Sequence, residues 1–177
     1  AAACVLWTGV PVKAVVDACG GIASGAVFMT SSGVDHAPTG LDPKKAMVER
    51  SVPKKAYKDA ILAWEMNGDP LPNSHGGPLR TITPGYFGIN NVKHVGKLSF
   101  TDKESDVKYM KSSYRISPIG KKGSQYPTCW EMPVKSWITR PTGETGTVKA
   151  GKVQIVGVAM GGTKKAKSVK VSVDGGK

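Results

Sequence analysis

The sequence predicts an α+β fold, in which a β-rich domain with few, short helices is followed by the start of a β-sandwich. Three observations predict this class. Apolar runs of strand length outnumber helical patterns. Glycines and prolines that favour turns are dense between those runs. After residues 133–139 the composition becomes β-rich, so we expect one domain over 1–134 and the incomplete start of a second over 135–177.

The first helix is predicted over residues 10–20. Its apolar residues recur at helical spacing, at Val12, Val15, Val16 and Cys19. A proline stands early, where a missing N–H costs least, and a glycine follows as the stop signal. This spacing predicts that Cys19 points into the core.

A strand is predicted at 26–30, and a loop rich in serine, glycine and proline at 31–40. A second short helix is expected through residue 47. Asp42 is its predicted N-cap, and Pro43 occupies the first turn.

The next part of the chain combines strands with a long irregular segment. An apolar run over 60–66 ends at Asn67-Gly68, which is a strong tight-turn signal. Turn-forming residues then dominate 70–88, interrupted by a strand at 79–83, and a further strand is expected at 95–100. Compact domains rarely keep such irregular stretches unless they form a site.

The predicted second domain begins with a crossing segment at 133–139 and contains two β-rich runs, at 153–159 and 168–173. The second run alternates valine with polar residues, as a half-buried strand does. A Gly-Gly-Thr-Lys-Lys connection joins the two runs. Because two strands do not form a stable sheet alone, we expect this domain to be incomplete.

Composition and spacing exclude several classes of function. The chain has 177 residues and a net charge of +12, carried mostly by scattered lysines. Such a charge favours an anionic partner, but arginine clusters typical of nucleic-acid binding are missing. No apolar run is long enough for a transmembrane helix, and no leader is visible. The spacing of the three cysteines and three histidines fits neither disulfides nor zinc. We therefore expect no nucleic-acid or membrane partner.

The segments 75–80 and 84–93 are the strongest candidates for a binding site. Paired glycines allow close approach of a ligand to the backbone. Arg80 offers a planar fork suited to phosphate and Lys93 a compact positive charge, while His75 adds hydrogen-bonding groups. They predict a cradle for a phosphate-bearing cofactor. The alternative is that His75 pins a loop and Arg80 pairs with an aspartate.

Several motifs in order resemble the molybdenum-cofactor domain of the sulfite oxidase family, and the resemblance spans nearly the whole chain. They are WTGVPV at 7–12, DHAPTG at 35–40, WEMNGDPLP at 64–72, HGGPLR at 75–80, PGYFGINNVK at 84–93, KSSY at 111–114 and EMPVKS at 131–136. The resemblance implies a sulfite-oxidase-like molybdopterin domain and the start of an immunoglobulin-like dimerisation domain.

The same resemblance implies the roles of individual residues. His75 and Arg80 match pterin-contacting residues, and Asp35 matches an aspartate that receives the pterin amino groups. The pterin-phosphate loop is matched by Asn91, Val92 and Lys93. The catalytic candidate is Tyr114, which matches the tyrosine beside the oxo ligand of the metal and can donate a hydrogen bond to an oxyanion. Without the resemblance, Tyr114 is typical of a half-buried strand tyrosine. The preceding residue is Ser113, where animal members usually have an acidic residue.

The chain departs from the family at the metal ligand. Family members bind molybdenum through a cysteine in a Cys-x-Gly-Asn-type motif upstream of the region that matches Trp7, and the sequence has no such motif. Cys4 is too close to Trp7, Cys19 is expected in the core, and Cys129 is expected to be structural. We assign no metal ligand, and expect the sequence to be an internal piece of a longer family member.

The implied function is a molybdenum–molybdopterin (Moco) oxidoreductase that oxidises sulfite to sulfate. Its expected partners are a small anionic substrate, a c-type cytochrome or haem subunit as electron acceptor, and a second copy in a homodimer. The expected location is the periplasm, with the cytoplasm or an organelle as the alternative. Other possibilities are a nitrate reductase, a sulfur dehydrogenase, or a metal-free binding or assembly protein that retains the fold.

Overall fold

The computed structural model describes residues 4–172 and 174–175, except for the side chain of Thr145. It divides into two units, one ending at Trp130 and the other beginning at Glu131. The first is β-rich with three short helices, as the predicted α+β class requires. No helix in the described part of the chain is both long enough and apolar enough to cross a membrane.

Two antiparallel sheets form the first unit. Their strands are β1 (Trp7–Pro11), β2 (Phe28–Gly33), β3 (Glu49–Pro53), β4 (Ile61–Met66), β5 (Asp69–Pro70), β6 (Arg80–Ile82) and β7 (Val95–Thr101). In one sheet, β4 lies between β1 and β5 and also pairs with β6; in the other, β2 lies between β3 and β7. The helices are α1 (Val12–Ala18), α2 (Pro43–Ala46) and α3 (Lys108–Lys111).

Both predicted helices are present. Helix α1 buries Val12 and Val16, but the prediction that Cys19 lies in the core is wrong. The helix ends at Ala18, so Cys19 is its C-cap and its thiol is exposed. Helix α2 begins as expected, because the Asp42 carboxylate accepts the backbone N–H of Lys44 at 2.9 Å.

The predicted loop at 31–40 begins too early, because β2 continues through Gly33. In sequence, the polar residues of β2 are typical of a loop. In the structure they are buried, and their hydroxyl groups form hydrogen bonds with neighbouring strands. The Thr30 hydroxyl bonds that of Ser51 at 2.8 Å, and Thr81 donates to Ser31 at 3.1 Å. A strand buried on both faces can carry hydroxyls when each finds such a partner.

The turn predicted at Asn67-Gly68 joins β4 to β5. Both residues have positive φ, 59° and 88°, which is the conformation that a tight two-residue hairpin requires. The Asn67 carboxamide also accepts the backbone N–H of Leu6 at 2.9 Å, so the turn anchors the chain just before β1.

An apolar core lies where α1 meets the β2 sheet. Its largest fully buried members are Met29 and Val12. Also buried in it are Val16, Val52, Ala56, Ala60 and Tyr86. Burying these side chains is the main favourable term for folding of the unit, and it fixes the strands from which the irregular segments extend.

The second unit contains an antiparallel pair, β8 (Lys135–Arg140) and β9 (Val156–Met160). The predicted crossing segment at 133–139 is thus mostly strand, and the run at 153–159 begins pairing only at Val156. The strand predicted at 168–173 is wrong over 168–172, while Val173 lies outside the described residues. Val169 and Val171 are 65% and 63% exposed, and alternation alone makes no strand without a partner.

Candidate functional site

A cavity of about 310 Å³ lies at the end of β6, next to the 3-10 turn Gly88–Asn90. We call it the Arg80 cavity. Five of the seven predicted site residues line it: Asp35, Arg80, Asn91, Val92 and Lys93. The remaining lining residues are Val48, Gly88, Ile89 and His94. The five predicted residues thus come together from three separate stretches of the chain.

Arg80 is the central charged group of this cavity and is only 9% exposed. Its Nη1 donates to the carbonyl oxygen of His75 at 2.6 Å and its Nη2 to that of Asn91 at 3.1 Å. The guanidinium lies 5.0 Å from the ring centroid of Trp7, a cation–π contact. These bonds go to backbone carbonyls, so the alternative that Arg80 pairs with an aspartate is wrong. Burial lowers the pKa of Arg80, yet an arginine stays charged at neutral pH.

One donor of this guanidinium is left over. The Nε of Arg80 is buried and has no hydrogen-bond partner in the protein. A buried N–H without a partner costs about 1–3 kcal/mol. Because Arg80 and Lys93 both line the cavity, it is suited to an anionic ligand.

The backbone of the Arg80 cavity is fixed by contacts between its two loops. Lys93 donates from Nζ to the carbonyl oxygen of Ser74 at 2.6 Å, and the N–H of His94 donates to the carbonyl of Gly76 at 3.1 Å. Gly76 has φ 101°, and a Cβ there would lie 2.7 Å from the Cβ of Lys93. Gly76 therefore permits close approach of one loop to the other at Lys93, which lines the cavity.

Asn91 uses its side chain to hold its own loop. Its carboxamide oxygen accepts the N–H of Thr83 at 2.8 Å, while its backbone carbonyl accepts from Arg80. Asp35 reaches the same cavity from the segment after β2, where the N–H of Val34 donates to the carbonyl of His94 at 2.8 Å. This hydrogen bond holds the segment that carries Asp35 against the segment that carries Lys93 and His94.

His75 does not line the cavity as the sequence suggested, whereas His94, which had no predicted role, does. The side chain of His75 is exposed, does not line the cavity, and contributes its backbone carbonyl to Arg80. His94 does line it, and its Nδ1 lies 2.7 Å from the carbonyl oxygen of Gly77. Since a carbonyl only accepts, this Nδ1 carries the proton, and in the neutral ring Nε2 is the acceptor. Sequence reasoning missed His94, although it directly follows Lys93 in the predicted loop.

Tyr114 lies in a separate cavity of about 300 Å³, lined by residues of the segments 112–117 and 122–123. It is 47% exposed, has φ 53°, and its ring centroid lies 6.2 Å from that of Tyr109. Although it is about half exposed, its positive φ excludes a strand, so it is not a strand tyrosine. Its carbonyl accepts the N–H of Cys129 at 3.0 Å. The structure does not place Tyr114 in the lining of the Arg80 cavity.

Arg115 fixes the backbone next to Tyr114. Its Nη2 donates to the carbonyl of Met110 at 2.7 Å, and its Nη1 to the hydroxyl of Thr128 at 2.6 Å. The only carboxylate in reach among the described residues is that of Glu104, 3.9 Å away. Like Arg80, Arg115 retains a buried Nε without a hydrogen-bond partner.

The cysteines take no part in either cavity lining. Cys4 and Cys19 are exposed, and Cys129 is partly buried with a pKa that burial raises. Within residues 4–172 and 174–175, no three histidine, cysteine or acidic side chains form a metal-binding group.

Comparisons with known proteins point to one family. The model of the oxidoreductase molybdopterin-binding domain matches residues 1–109. The chain is 36% identical over 151 residues to the mitochondrial sulfite oxidase of Rattus norvegicus, with 81% of this chain and 27% of that protein covered. It is 32% identical over 190 residues to inducible nitrate reductase [NADH] 1 of Glycine max, with 97% of this chain and 21% of that protein covered.

Among solved structures, the sulfane dehydrogenase SoxCD from Paracoccus pantotrophus is similar, with a TM-score of 0.60 and 27% identity. The match covers 78% of this chain and 33% of that one. The chain thus spans only about a fifth to a third of the length of these relatives. The family model, however, matches more than half of the chain, and the chain therefore belongs to the oxidoreductase molybdopterin-binding domain family.

Proposed function

We propose that this chain is part of a molybdenum–molybdopterin enzyme that oxidises sulfite to sulfate and passes the electrons to a c-type cytochrome or haem subunit. The observation that carries the proposal is the Arg80 cavity, where five residues assigned to the cofactor from sequence lie together in one lining. The similarity to a sulfite oxidase supports the substrate.

The residues of the cavity fit a pterin that carries a phosphate. Arg80 and Lys93 supply positive charge for a phosphate, and the Nε of Arg80 has no hydrogen-bond partner within the protein. Asp35 supplies carboxylate oxygens for the amino groups of a pterin. Asn91 and Val92 hold the loop backbone beside them, and the exposed ring of His75 would add a hydrogen-bonding group. The cavity thus offers donors for the anionic end of the cofactor and acceptors for its amino groups.

The bound cofactor would supply oxygen-atom transfer at molybdenum, and the protein would supply binding and orientation. Arg80 holds the loops of His75 and Asn91 in one geometry before any ligand binds. The phenol of Tyr114 would donate a hydrogen bond to an anionic oxygen of the substrate. The net charge of +12 favours encounter with a dianion such as sulfite.

We also propose that residues 1–134 form the cofactor domain and that 135–177 begin an immunoglobulin-like dimerisation domain. The division into units at Trp130 and Glu131 supports such a boundary. Exposed apolar side chains on β8 and β9 support an interface with a second copy, among them Trp137 at 37%, Ile138 at 54% and Val158 at 41% exposure. A periplasmic location accompanies the proposal of a c-type cytochrome partner.

The test uses the full-length protein that contains this chain, with the variant Arg80→Leu and the matched control Arg140→Leu, whose arginine is exposed in the second unit. Molybdenum is measured by mass spectrometry and pterin by fluorescence after oxidation. We expect Arg80→Leu to lose most of both, and Arg140→Leu to retain them. A folded Arg80→Leu protein with full cofactor content would contradict the assignment of the cavity.

The substrate is tested with the loaded protein and an artificial electron acceptor or donor. Sulfite should be oxidised to sulfate, with reduction of a c-type cytochrome. Activity restricted to nitrate, or to a carrier-bound sulfane sulfur, would replace sulfite with the substrate named by one of the other relatives. A loaded protein inactive on all three substrates would refute the enzymatic proposal and favour a binding or assembly role.

A further inference from the structure

Arg50, on β3, is a fully buried charged residue with only 1% exposure. Its Nε and Nη2 donate to the carboxamide oxygen of Asn90 at 3.1 and 3.0 Å, and its Nη1 donates to the carbonyl oxygen of Tyr109. None of the ion pairs among the described residues includes Arg50. One guanidinium therefore connects two segments that are far apart in the sequence.

The first of these segments is the wall of the Arg80 cavity. Asn90 belongs to the turn Gly88–Asn90, and its neighbours Ile89 and Asn91 both line that cavity. The carboxamide nitrogen of Asn90 donates to the carbonyl of Cys129 at 2.8 Å. Asn90 is 2% exposed, so its carboxamide is shielded from water and its hydrogen bonds define one arrangement of the turn.

The second segment carries Tyr114. The N–H of Cys129 donates to the carbonyl of Tyr114 at 3.0 Å. The ring of Tyr114 contacts that of Tyr109 in a tilted arrangement, with the ring centroids 6.2 Å apart. The carbonyl of Tyr109 accepts a hydrogen bond from Arg50. The path from Arg50 through Asn90 and Cys129 to Tyr114 therefore returns to Arg50 through Tyr109, and the network is closed.

We propose that Arg50 is a positioning residue that couples the wall of the Arg80 cavity to Tyr114. The role of Arg50 in positioning and its effect on kcat rest on the proposed function, whereas the structural coupling between the two segments does not. Two contacts on Arg50 set the relative placement of the turn at Asn90 and the segment at Tyr109. The coupling runs through the hydrogen bonds of Asn90 and Cys129 and through the contact between the rings of Tyr109 and Tyr114.

The chemistry of the site requires an arginine for this role. The planar fork presents Nε and Nη2 to one acceptor and Nη1 to another at a fixed angle. A lysine has a single nitrogen and can bridge the same acceptors only with a different geometry. A buried charge is also a weak source of stability, since well-packed apolar residues often replace one at no net cost. The arrangement of Arg50 is thus explained by geometry better than by stability.

The test compares Arg50→Lys and Arg50→Met with Met29→Ala in the full-length protein. Met29 is fully buried in the apolar core and belongs to none of the hydrogen bonds of this network. It is therefore a control for general destabilisation. Backbone hydrogen exchange is measured at Asn91 and at Cys129, whose N–H groups bond Gly88 and Tyr114 respectively.

We expect both Arg50 variants to accelerate exchange about tenfold or more at Asn91 and Cys129 together, and Met29→Ala to leave the ratio of these rates to the global rate unchanged. In the cofactor-loaded fraction, Arg50→Lys should lower kcat for sulfite about ten- to a hundredfold with a smaller change in KM. Rates at the two amides that follow only global stability, as in Met29→Ala, would overturn the coupling. Coupled exchange with an unchanged kcat would overturn the positioning role.

A failure of the proposed function gives a different result. If the wild-type protein does not oxidise sulfite, the kinetic comparison has no baseline and that function fails by itself. The exchange rates at Asn91 and Cys129 still decide whether Arg50 couples the two segments.

Discussion

Gly76→Ala is expected to destabilise the first unit and to distort the Arg80 cavity. The residue has φ 101°, a conformation that costs an L-amino acid about 1–2 kcal/mol. Its new Cβ would lie 2.7 and 2.9 Å from the Cβ and Cα of Lys93. Because Cα cannot rotate away, the two loops must separate, and such overpacking costs about 1–3 kcal/mol. We therefore expect a loss of about 3 kcal/mol in the free energy of unfolding.

The assay is urea denaturation followed by tryptophan fluorescence, together with the pterin content of the purified protein. Gly88→Ala is the matched control, because Gly88 lines the same cavity but its Cβ would meet nothing within 4 Å. We expect Gly88→Ala to keep the stability of the wild type, and Gly76→Ala to lose both stability and pterin. A loss below about 1 kcal/mol for Gly76→Ala, or an equal loss for both variants, would refute the reasoning.

Three further predictions concern other parts of the chain. Tyr114→Phe should leave the free energy of unfolding within about 0.5 kcal/mol, since the residue is 47% exposed, but lower kcat/KM for sulfite about tenfold or more; unchanged kinetics would remove Tyr114 from the site. Asp42→Ala removes the bond to the N–H of Lys44 and should speed hydrogen exchange at that amide, with a cost of about 1 kcal/mol to α2; unaltered exchange would show that the cap is not needed. At pH 8, iodoacetamide should alkylate the exposed Cys19 before Cys129, because burial raises the pKa of Cys129 and leaves less of the reactive thiolate. This lag should shrink as the pH rises, and equal rates for both thiols at pH 8 would contradict it.

Sequence signals correctly predicted the structural elements that depend only on residues close together in the chain. The cap at Asp42, the turn at Asn67-Gly68 and the apolar face of α1 depend on neighbours within a few residues, and all three are present. The strands β1 and β3 had no such signal. The first contains a glycine and ends in a proline, and the second begins with Glu49 and Arg50. Both are strands because distant segments pair with them.

At the candidate site, too, the sequence predicted some features and missed others. The motif residues Arg80 and Lys93 were predicted as one cradle, and they line one cavity. The sequence could not show that Arg80 bonds backbone carbonyls instead of a carboxylate, or that His94 rather than the ring of His75 lines the wall. These facts depend on loop geometry. Nor did spacing predict that the valines at 169 and 171 would remain exposed, because alternation says which face a strand would bury but not whether a partner exists.

The arginines at 50, 80 and 115 share a property with a consequence for acid solution. Their hydrogen bonds go to carbonyl, carboxamide and hydroxyl oxygens, which take up no proton in the range where carboxylates do. By contrast, the exposed ion pair of Lys44 and Asp106 is lost when the carboxylate is protonated. Acidification therefore removes this ion pair from the surface of the first unit, whereas the hydrogen bonds of the three arginines remain. Since the guanidinium charges are not cancelled by these acceptors, the cavities also keep their attraction for anions as the pH falls.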